Sequence, residues 1–448
     1  MSGKLKIGVF GGYRGMTMIT VLMGHPDAEL VAVCDKVQWI LDNVKNEAEK
    51  HGQTVACYNN FEDFFKHDMD AVVLANYANE HAPYAIRLLR SGRHVLSEVL
   101  PCETMAQAVE LIEAVEESGC VYAYAENYCY MAHTFEMWRR YQNGDIGEVM
   151  YAEGEYVHDC SSIWPGITYG ERNHWRNRMH PAFYCTHSIG PMLTITGRRP
   201  VQVVGFETMP HPDMIALGGI GGMAGGCMIA VTLDNGAICK SIHGGLKREP
   251  GSINYEVYGM KGMMESDRFD GGRLNVYREG EKLCIGDWEK YETKPFIAPE
   301  LLEKIGVYGH GGSDFYSTHF FLEKILGRPD GDTYSVDVYQ AVDMGICGIL
   351  AYRSILNGNA PVKVPNLRNK EERDAYRNDN ACTNPEIAGD QLLSGSPYSE
   401  RGIRAGRGAA PPGEKRGIIR QAGRLPKKFR GRPSFVRTIH PDDEGGCP

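Results

Sequence analysis

The feature that most constrains this chain is a glycine-rich turn at the end of its first apolar run. Lys6-Ile7-Gly8-Val9-Phe10 leads into Gly11-Gly12-Tyr13-Arg14-Gly15 and then into a helical stretch. Small residues at a strand–helix junction let the backbone approach a pyrophosphate, and the helix N-terminus supplies N–H donors. Aligning Gly12 and Gly15 with the last two glycines of G-x-G-x-x-G puts Phe10 in place of the first. A second apolar run, 29–35, ends in Asp35, about 20 residues past the turn, where a carboxylate binds a ribose 2′-hydroxyl. A carboxylate there repels a 2′-phosphate, so NAD is favoured over NADP, and Lys36 beside it softens that preference. The plain alternative for Asp35 is a solvated strand end.

The pattern around this turn sets the fold class. Further apolar runs at 71–76, 94–99 and 121–127 alternate with helical patterns at 81–92 and 103–119. Continuous apolar strands between helices predict a parallel sheet covered on both faces, a doubly wound α/β Rossmann domain over 1–130. Beyond residue 145 the rhythm turns to long β-rich stretches at 147–159, 200–210, 228–244, 253–267 and 273–287. Asp234-Asn235-Gly236 suits a tight hairpin turn. Helical patterns return at 314–327 and 336–358. The expectation is an α+β domain over 131–385 with a large, mostly antiparallel open sheet. Its apolar face, unless covered by helices, would be left exposed and call for a partner.

Composition excludes other classes. The 448 residues include 13 cysteines, an odd number with no C-x-x-C pair, which argues for free thiols in a reducing compartment. No run of about 18 apolar residues occurs, so no membrane partner is expected. The start enters a strand directly, and the expected location is the cytoplasm. Residues 395–448 hold 12 basic and 5 acidic side chains, against 36 basic and 52 acidic in the rest. An acidic body argues against nucleic acid. The segment 386–448 is rich in Gly, Pro and Arg and reads as an irregular basic tail.

At this point the chain resembles the glucose–fructose oxidoreductase / inositol dehydrogenase (Gfo/Idh/MocA) family over residues 4–385. Asn79-Glu80-His81 is similar to the family's N-x-H, and 94–99 to the strand that carries its E-K-P motif. Glu126-Asn127 ends the fifth strand as in many members, and Gly309-His310-Gly311-Gly312-Ser313-Asp314 is similar to a motif of sugar-acting members. The family's lysine falls at Val99, in Glu98-Val99-Leu100-Pro101, and valine carries no proton. A branch lacking that lysine includes NAD-dependent glycosidases acting on N-acetylgalactosaminides. Tyr156-x-His158-Asp159, His174-Trp175-Arg176 and Tyr184-x-Thr186-His187-Ser188-x-Gly190-Pro191 resemble its motifs, and glycoside 3-oxidases resemble the chain as well. The resemblance implies cofactor contacts from Gly11, Gly12, Tyr13, Arg14, Asp35, Asn76, Asn79, His81, Glu98 and Asn127, and a homo-oligomer, a dimer or higher.

Removing hydride from a carbinol carbon needs a base for the hydroxyl proton. With Val99 unable to serve, His187 is the first candidate and Tyr156 the second; a satisfied core histidine and a buried strand aromatic are the plain alternatives. His158 and Asp159 could bind hydroxyls or orient each other. His174 and Tyr184 belong to the same motifs, Trp175 could stack on a sugar face, Arg176 could bond to it, and His310 could reach it from its loop. His158, Cys160, His174, His180, Cys185 and His187 match no zinc spacing, and no metal is expected. The reading is NAD-dependent oxidation of a sugar or glycoside secondary hydroxyl at C3 to a keto-glycoside. Its alternatives are a redox-neutral NAD-dependent glycosidase, in which Tyr156 removes the proton beside a transient ketone, and a non-catalytic NAD-bound sugar sensor.

Overall fold

The computed structural model describes residues 3–218, 225–248, 250–269, 273–280, 289–292, 301–303 and 310–394, with backbone alone at 289–292. The first sheet holds β1 (Leu5–Phe10), β2 (Ala28–Cys34), β3 (Ala56–Tyr58), β4 (Ala71–Leu74), β5 (His94–Ser97) and β6 (Tyr122–Tyr124). Their order is β3-β2-β1-β4-β5-β6, and every pairing is parallel. All four residues of β4 are buried, as a strand covered on both faces demands. The order reverses between β1 and β4, so the loops after them flank the crevice where such sheets bind ligands. The edge strand β3 has no counterpart in the sequence expectation, because three residues are too short for periodicity. The 94–99 run is strand only to Ser97, which releases Glu98 and Val99 into the crevice.

The second sheet comprises β7 (Val149–Val157), β8 (Pro200–Glu207), β9 (Gly226–Leu233), β10 (Ile238–Gly244), β11 (Ser252–Gly259), β12 (Gly262–Ser266), β13 (Arg273–Arg278), β14 (Glu289–Glu292) and β15 (Val362–Lys363). Its order is β14-β13-β12-β11-β7-β10-β9-β8-β15. All neighbours are antiparallel except β7 and β10, which run parallel and set Tyr156 beside His243. The turn at 234–236 closes the β9–β10 hairpin, with Gly236 at φ 88° and the Asn235 side chain accepting the Ala237 N–H at 3.0 Å. The expected run 273–287 lies outside the described residues beyond 280.

Two helices cover one face of this sheet. Thr186–Thr196 lies on β7, and Val338–Leu356, started by an Asp337/Gln340 capping box, lies on β8. The contact on β7 is so close that a Cβ on Gly154 would stand 1.7 Å from the Ser188 carbonyl oxygen. A third helix, Ser313–Ile325, returns to the first domain. Its Phe321 and Leu322 join the core built on Ile7, Val9 and Leu96. His319 meets His25 at 3.1 Å.

Residues 386–394, placed in the tail by composition, form short turns around the helix Pro385–Ala388, and the Tyr352 hydroxyl donates to the Ser394 carbonyl. The rest of the expected tail, 395–448, lies outside the described residues. Among the described residues, no helix is long and apolar enough to cross a membrane, and the eleven cysteines are unpaired.

Gly154→Ala tests the close approach of helix to sheet. The added methyl has nowhere to go without shifting backbone, so stability should fall by about 1–3 kcal/mol or more, read as a lower denaturant midpoint at unchanged slope. A stability within error of the parent would show that the helix does not press on β7.

Candidate active site

The crevice beyond β1 and β4 opens into a cavity of about 730 Å³ that runs from the glycine turn to the helix carrying His187. At its first end Gly11 takes φ 99°, and a Cβ there would stand 2.3 Å from the Ala75 carbonyl. Glycine is required at this point. Phe10 closes β1 and the turn begins at Gly11, and a Cβ on Gly15 would stand 2.4 Å from the Gly11 carbonyl oxygen. Asp35 accepts the Gly12 N–H at 2.8 Å and the Val37 N–H at 2.9 Å, pinning the turn to the end of β2. Lys36 reaches the Tyr77 hydroxyl at 2.7 Å.

His81 ties the loop after β4 to the loop after β5. Its ring nitrogens face the Leu100 and Asn76 carbonyls, both at 3.3 Å. Burial lowers its pKa to about 4, which keeps the ring neutral. Asn76 donates to Glu80, while its Oδ1 is buried without a partner among the described residues.

Three charged side chains from distant parts of the chain meet at the centre. Arg14 donates to Glu98 and to Asp314 (3.1 and 3.2 Å), and Thr17 adds a 2.7 Å bond to Asp314. His310 touches the same carboxylate at 3.2 Å. Burial would raise Asp314, but His310 and Arg14 more than offset it and hold it below the usual carboxylate range. Burial raises Glu98, with Arg14 opposing. Val99 lines the cavity beside them as an apolar, buried wall.

At the far end His187 Nδ1 lies 2.7 Å from Glu126 Oε1, a carboxylate with no solvent exposure. With Nδ1–H donating to that carboxylate, Nε2 carries the lone pair. Aromatic rings box the imidazole, with centroids of Tyr128 and Tyr156 at 4.8 Å and Tyr184 at 5.2 Å. Burial, with Cys160 and Tyr184, raises Tyr156 above the ordinary phenol value. His243 stacks on Tyr156 at 5.0 Å, with both nitrogens buried and unbonded among the described residues. The wall between the two ends is aromatic: Trp175 stacks near Tyr184, and Arg176 lies over both.

Gly11, Tyr13, Arg14, Asp35, Asn76, His81, Glu98 and Asn127, expected from the sequence at the cofactor, all line the cavity. Tyr156, His158, His174, Trp175, Arg176, Tyr184, His187 and His310 line the rest. Gly12 stands behind Asp35. Asn79 and Asp159 do not line the cavity. Asp159 instead accepts from the Ser161 N–H (3.0 Å) and pairs with Lys247 (3.1 Å), which brings its pKa to about 2. The sequence singled out Asn127 and not Glu126, although the two are adjacent. Asp314 was quoted within a motif without a role. Tyr128 and His243 carried no signal. His158 bonds Cys160 (3.0 Å) and His180 bonds Glu207 (2.7 Å), and no described group of three His, Cys, Asp or Glu is arranged to hold a metal.

The residues fit a nicotinamide dinucleotide. The Gly11 cradle would be filled by any Cβ, Asp35 stands at the end of β2 where a ribose hydroxyl would lie, and Asn76 Oδ1 is buried without a partner among the described residues. A Rossmann crevice of this kind, opening onto a buried His–Glu pair, defines an NAD-dependent oxidoreductase.

Comparison with known proteins agrees. Residues 5–126 match the model of the Gfo/Idh/MocA oxidoreductase family, NAD-binding Rossmann fold, and the resemblance drawn from the sequence holds. The chain is 26% identical over 406 residues to glycosyl hydrolase family 109 protein 1 of Phocaeicola vulgatus, covering 81% of this chain and 84% of that protein. It is 24% identical to the alpha-N-acetylgalactosaminidase of Tannerella forsythia, covering 82% and 86%. Its fold matches the aldose-aldose oxidoreductase of Caulobacter crescentus with a TM-score of 0.61 at 19% identity, over 81% of this chain and all of that one.

The sign of the Asp314 perturbation gives a stability test. A carboxylate whose folded pKa is depressed contributes stability above its unfolded value, about 3.9, and loses it as pH falls toward the folded value. Asp314→Asn should therefore destabilise the protein at pH 7, and its gap from the parent should narrow below about pH 4. A gap that stays constant down to pH 3 would show that Asp314 carries no such perturbation.

Proposed function

We propose that this enzyme oxidises a secondary hydroxyl of a sugar or glycoside, at C3, to the keto-glycoside. The observation that carries this reading is the 2.7 Å bond between His187 and the buried Glu126 at the inner end of the cleft. The cofactor, when bound, supplies the hydride acceptor. His187 Nε2 takes the hydroxyl proton, and Glu126 fixes the tautomer and stabilises the imidazolium that forms. Val99 leaves no other base at the family's lysine position. Tyr156, held protonated by its burial, donates a hydrogen bond to a substrate oxygen. Gly11, Asp35 and Asn76 hold the cofactor, and Trp175 presents an aromatic face to the sugar ring.

A second reading, redox-neutral glycoside cleavage, is supported by the names of the family 109 relatives and by Tyr156 standing 4.8 Å from His187. There Tyr156 would act as a base at the carbon beside the ketone. The raised Tyr156 pKa weighs for the first reading, since a base must first lose its proton.

The two are separated by incubating the protein with aryl glycosides and NAD while following reduced nicotinamide and free aglycone together. The expected outcome is one reduced nicotinamide per keto-glycoside with no aglycone. Aglycone without net reduction would move the assignment to the second reading. His187→Ala should lower kcat about 10²–10⁴-fold with cofactor affinity retained. A His187→Ala variant with parental kcat would remove His187 from the chemistry.

A further inference from the structure

Two buried imidazoles meet outside the cleft, between the helix Met16–Gly24 that follows the glycine turn and the returning helix Ser313–Ile325. His25, which ends the first helix, is 1% exposed, and His319 of the second is 8% exposed. His25 Nε2 lies 3.1 Å from His319 Nδ1. The Asp27 backbone N–H donates to His25 Nδ1 at 3.2 Å. These two bonds fix both tautomers. His25 Nδ1 must be bare to accept from Asp27, so its proton sits on Nε2 and is donated to His319 Nδ1. His319 then carries its own proton on Nε2.

A further proton has only the two Nδ1 atoms to enter, and each already receives an N–H. Protonating either ring sets one N–H against another and breaks a bond. The surroundings also disfavour it. Burial lowers His25 to about 4, with His319, Arg328 and Lys4 adding to the effect and Asp27 opposing it. Burial lowers His319 as well, aided by Arg328 and opposed by Glu323, Asp330 and Asp27. Two of these carboxylates are engaged elsewhere, since Arg328 donates to Asp27 at 2.8 Å and to Glu323 at 2.5 Å.

The pair sits on a seam that leads to the cofactor end of the cleft. Thr17 and Arg14 hold Asp314, in the first turn of the returning helix, at 2.7 and 3.1 Å. Phe321 and Leu322 of that helix share a core with Met18 and Leu22. The returning helix is thus tied to the glycine turn at Asp314 and to the end of the following helix at His319. We propose that the His25–His319 pair is an acid-operated latch, which parts on taking up a proton, loosens the seam and weakens cofactor binding through Asp314 and Arg14. The inference rests on a cofactor at the glycine turn and not on which sugar is oxidised. A ring kept neutral in the closed seam and free to protonate in the open one favours opening by about tenfold per pH unit, between its free value of 6.5 and its closed value of about 4. The latch is closed above pH 6.5 and yields as the pH falls.

The test is hydrogen exchange on the full chain at pH 7.5 and at pH 5, corrected for the intrinsic rate, with NAD affinity measured by calorimetry at both. At the lower pH, protection within 16–24 and 313–325 should fall at least about tenfold, while that of β9 holds. NAD affinity should fall with it. His319→Asn sets an amide oxygen where Nδ1 stood and does not titrate, so both losses should shrink to about twofold or less. His25→Gln, whose amide can face His319 as donor or acceptor, should do the same and serves if the first variant does not fold. An acid loss in either folded variant equal to that of the parent overturns the inference. So does a loss of protection spread evenly over both sheets, or no loss in the parent. A seam that opens with NAD affinity unchanged also overturns it, since the latch would then not reach the cofactor.

Discussion

The site depends on one buried contact, the hydrogen bond from His187 to Glu126. Glu126 follows the last strand of the first sheet and is fully buried, while His187 sits near the start of the helix laid over the second. Neither residue could hold its place alone. A carboxylate in that position without a donor would be costly, and an imidazole without an acceptor would have no fixed tautomer. The bond therefore couples the two sheets and sets the chemistry together. The close seat of the helix on Gly154, and the 2.7 Å contact between Ser188 and Ser241, decide how near His187 comes to Tyr156.

A second link runs parallel to the first. Arg14, on the glycine turn, holds Glu98 from the end of β5 and Asp314 from the first turn of the returning helix. The glycine turn is thus braced from the second domain as well as by Asp35. Removing one member of such a buried set leaves an unpaired charge and typically costs about 3–5 kcal/mol. The arrangement leaves the substrate end with a different balance. There the walls are aromatic and the free groups are donors, so recognition falls to stacking and to hydrogen bonds donated to the ligand.

Much of the fold was legible because burial writes periodicity into sequence. The fully buried run Ala71–Leu74 and the β-rich stretches that became β9, β10 and β11 could be read directly. The three-residue β3 could not, nor could the parallel pairing of β7 with β10, since pairing partners leave no mark on local pattern. Within the site, residues in dense motifs, such as Tyr184, His187 and the run His174–Arg176, came together. Asp159 and Asn79 did not, because a motif fixes a backbone position and not the direction of a side chain. The Arg14–Asp314 bond spans 300 residues, and no local signal reports such a contact.

The central claim is that hydride leaves the carbon bearing the 3-hydroxyl while His187 holds its proton. The most direct measurement uses a glycoside deuterated at C3 and follows the label into the nicotinamide together with the isotope effect on single turnover. The account expects deuterium in the reduced cofactor and a normal primary effect that persists in the Glu126→Gln variant at a lower rate. Label retained on the sugar, or transfer only from a glycoside deuterated at another carbon, would contradict it.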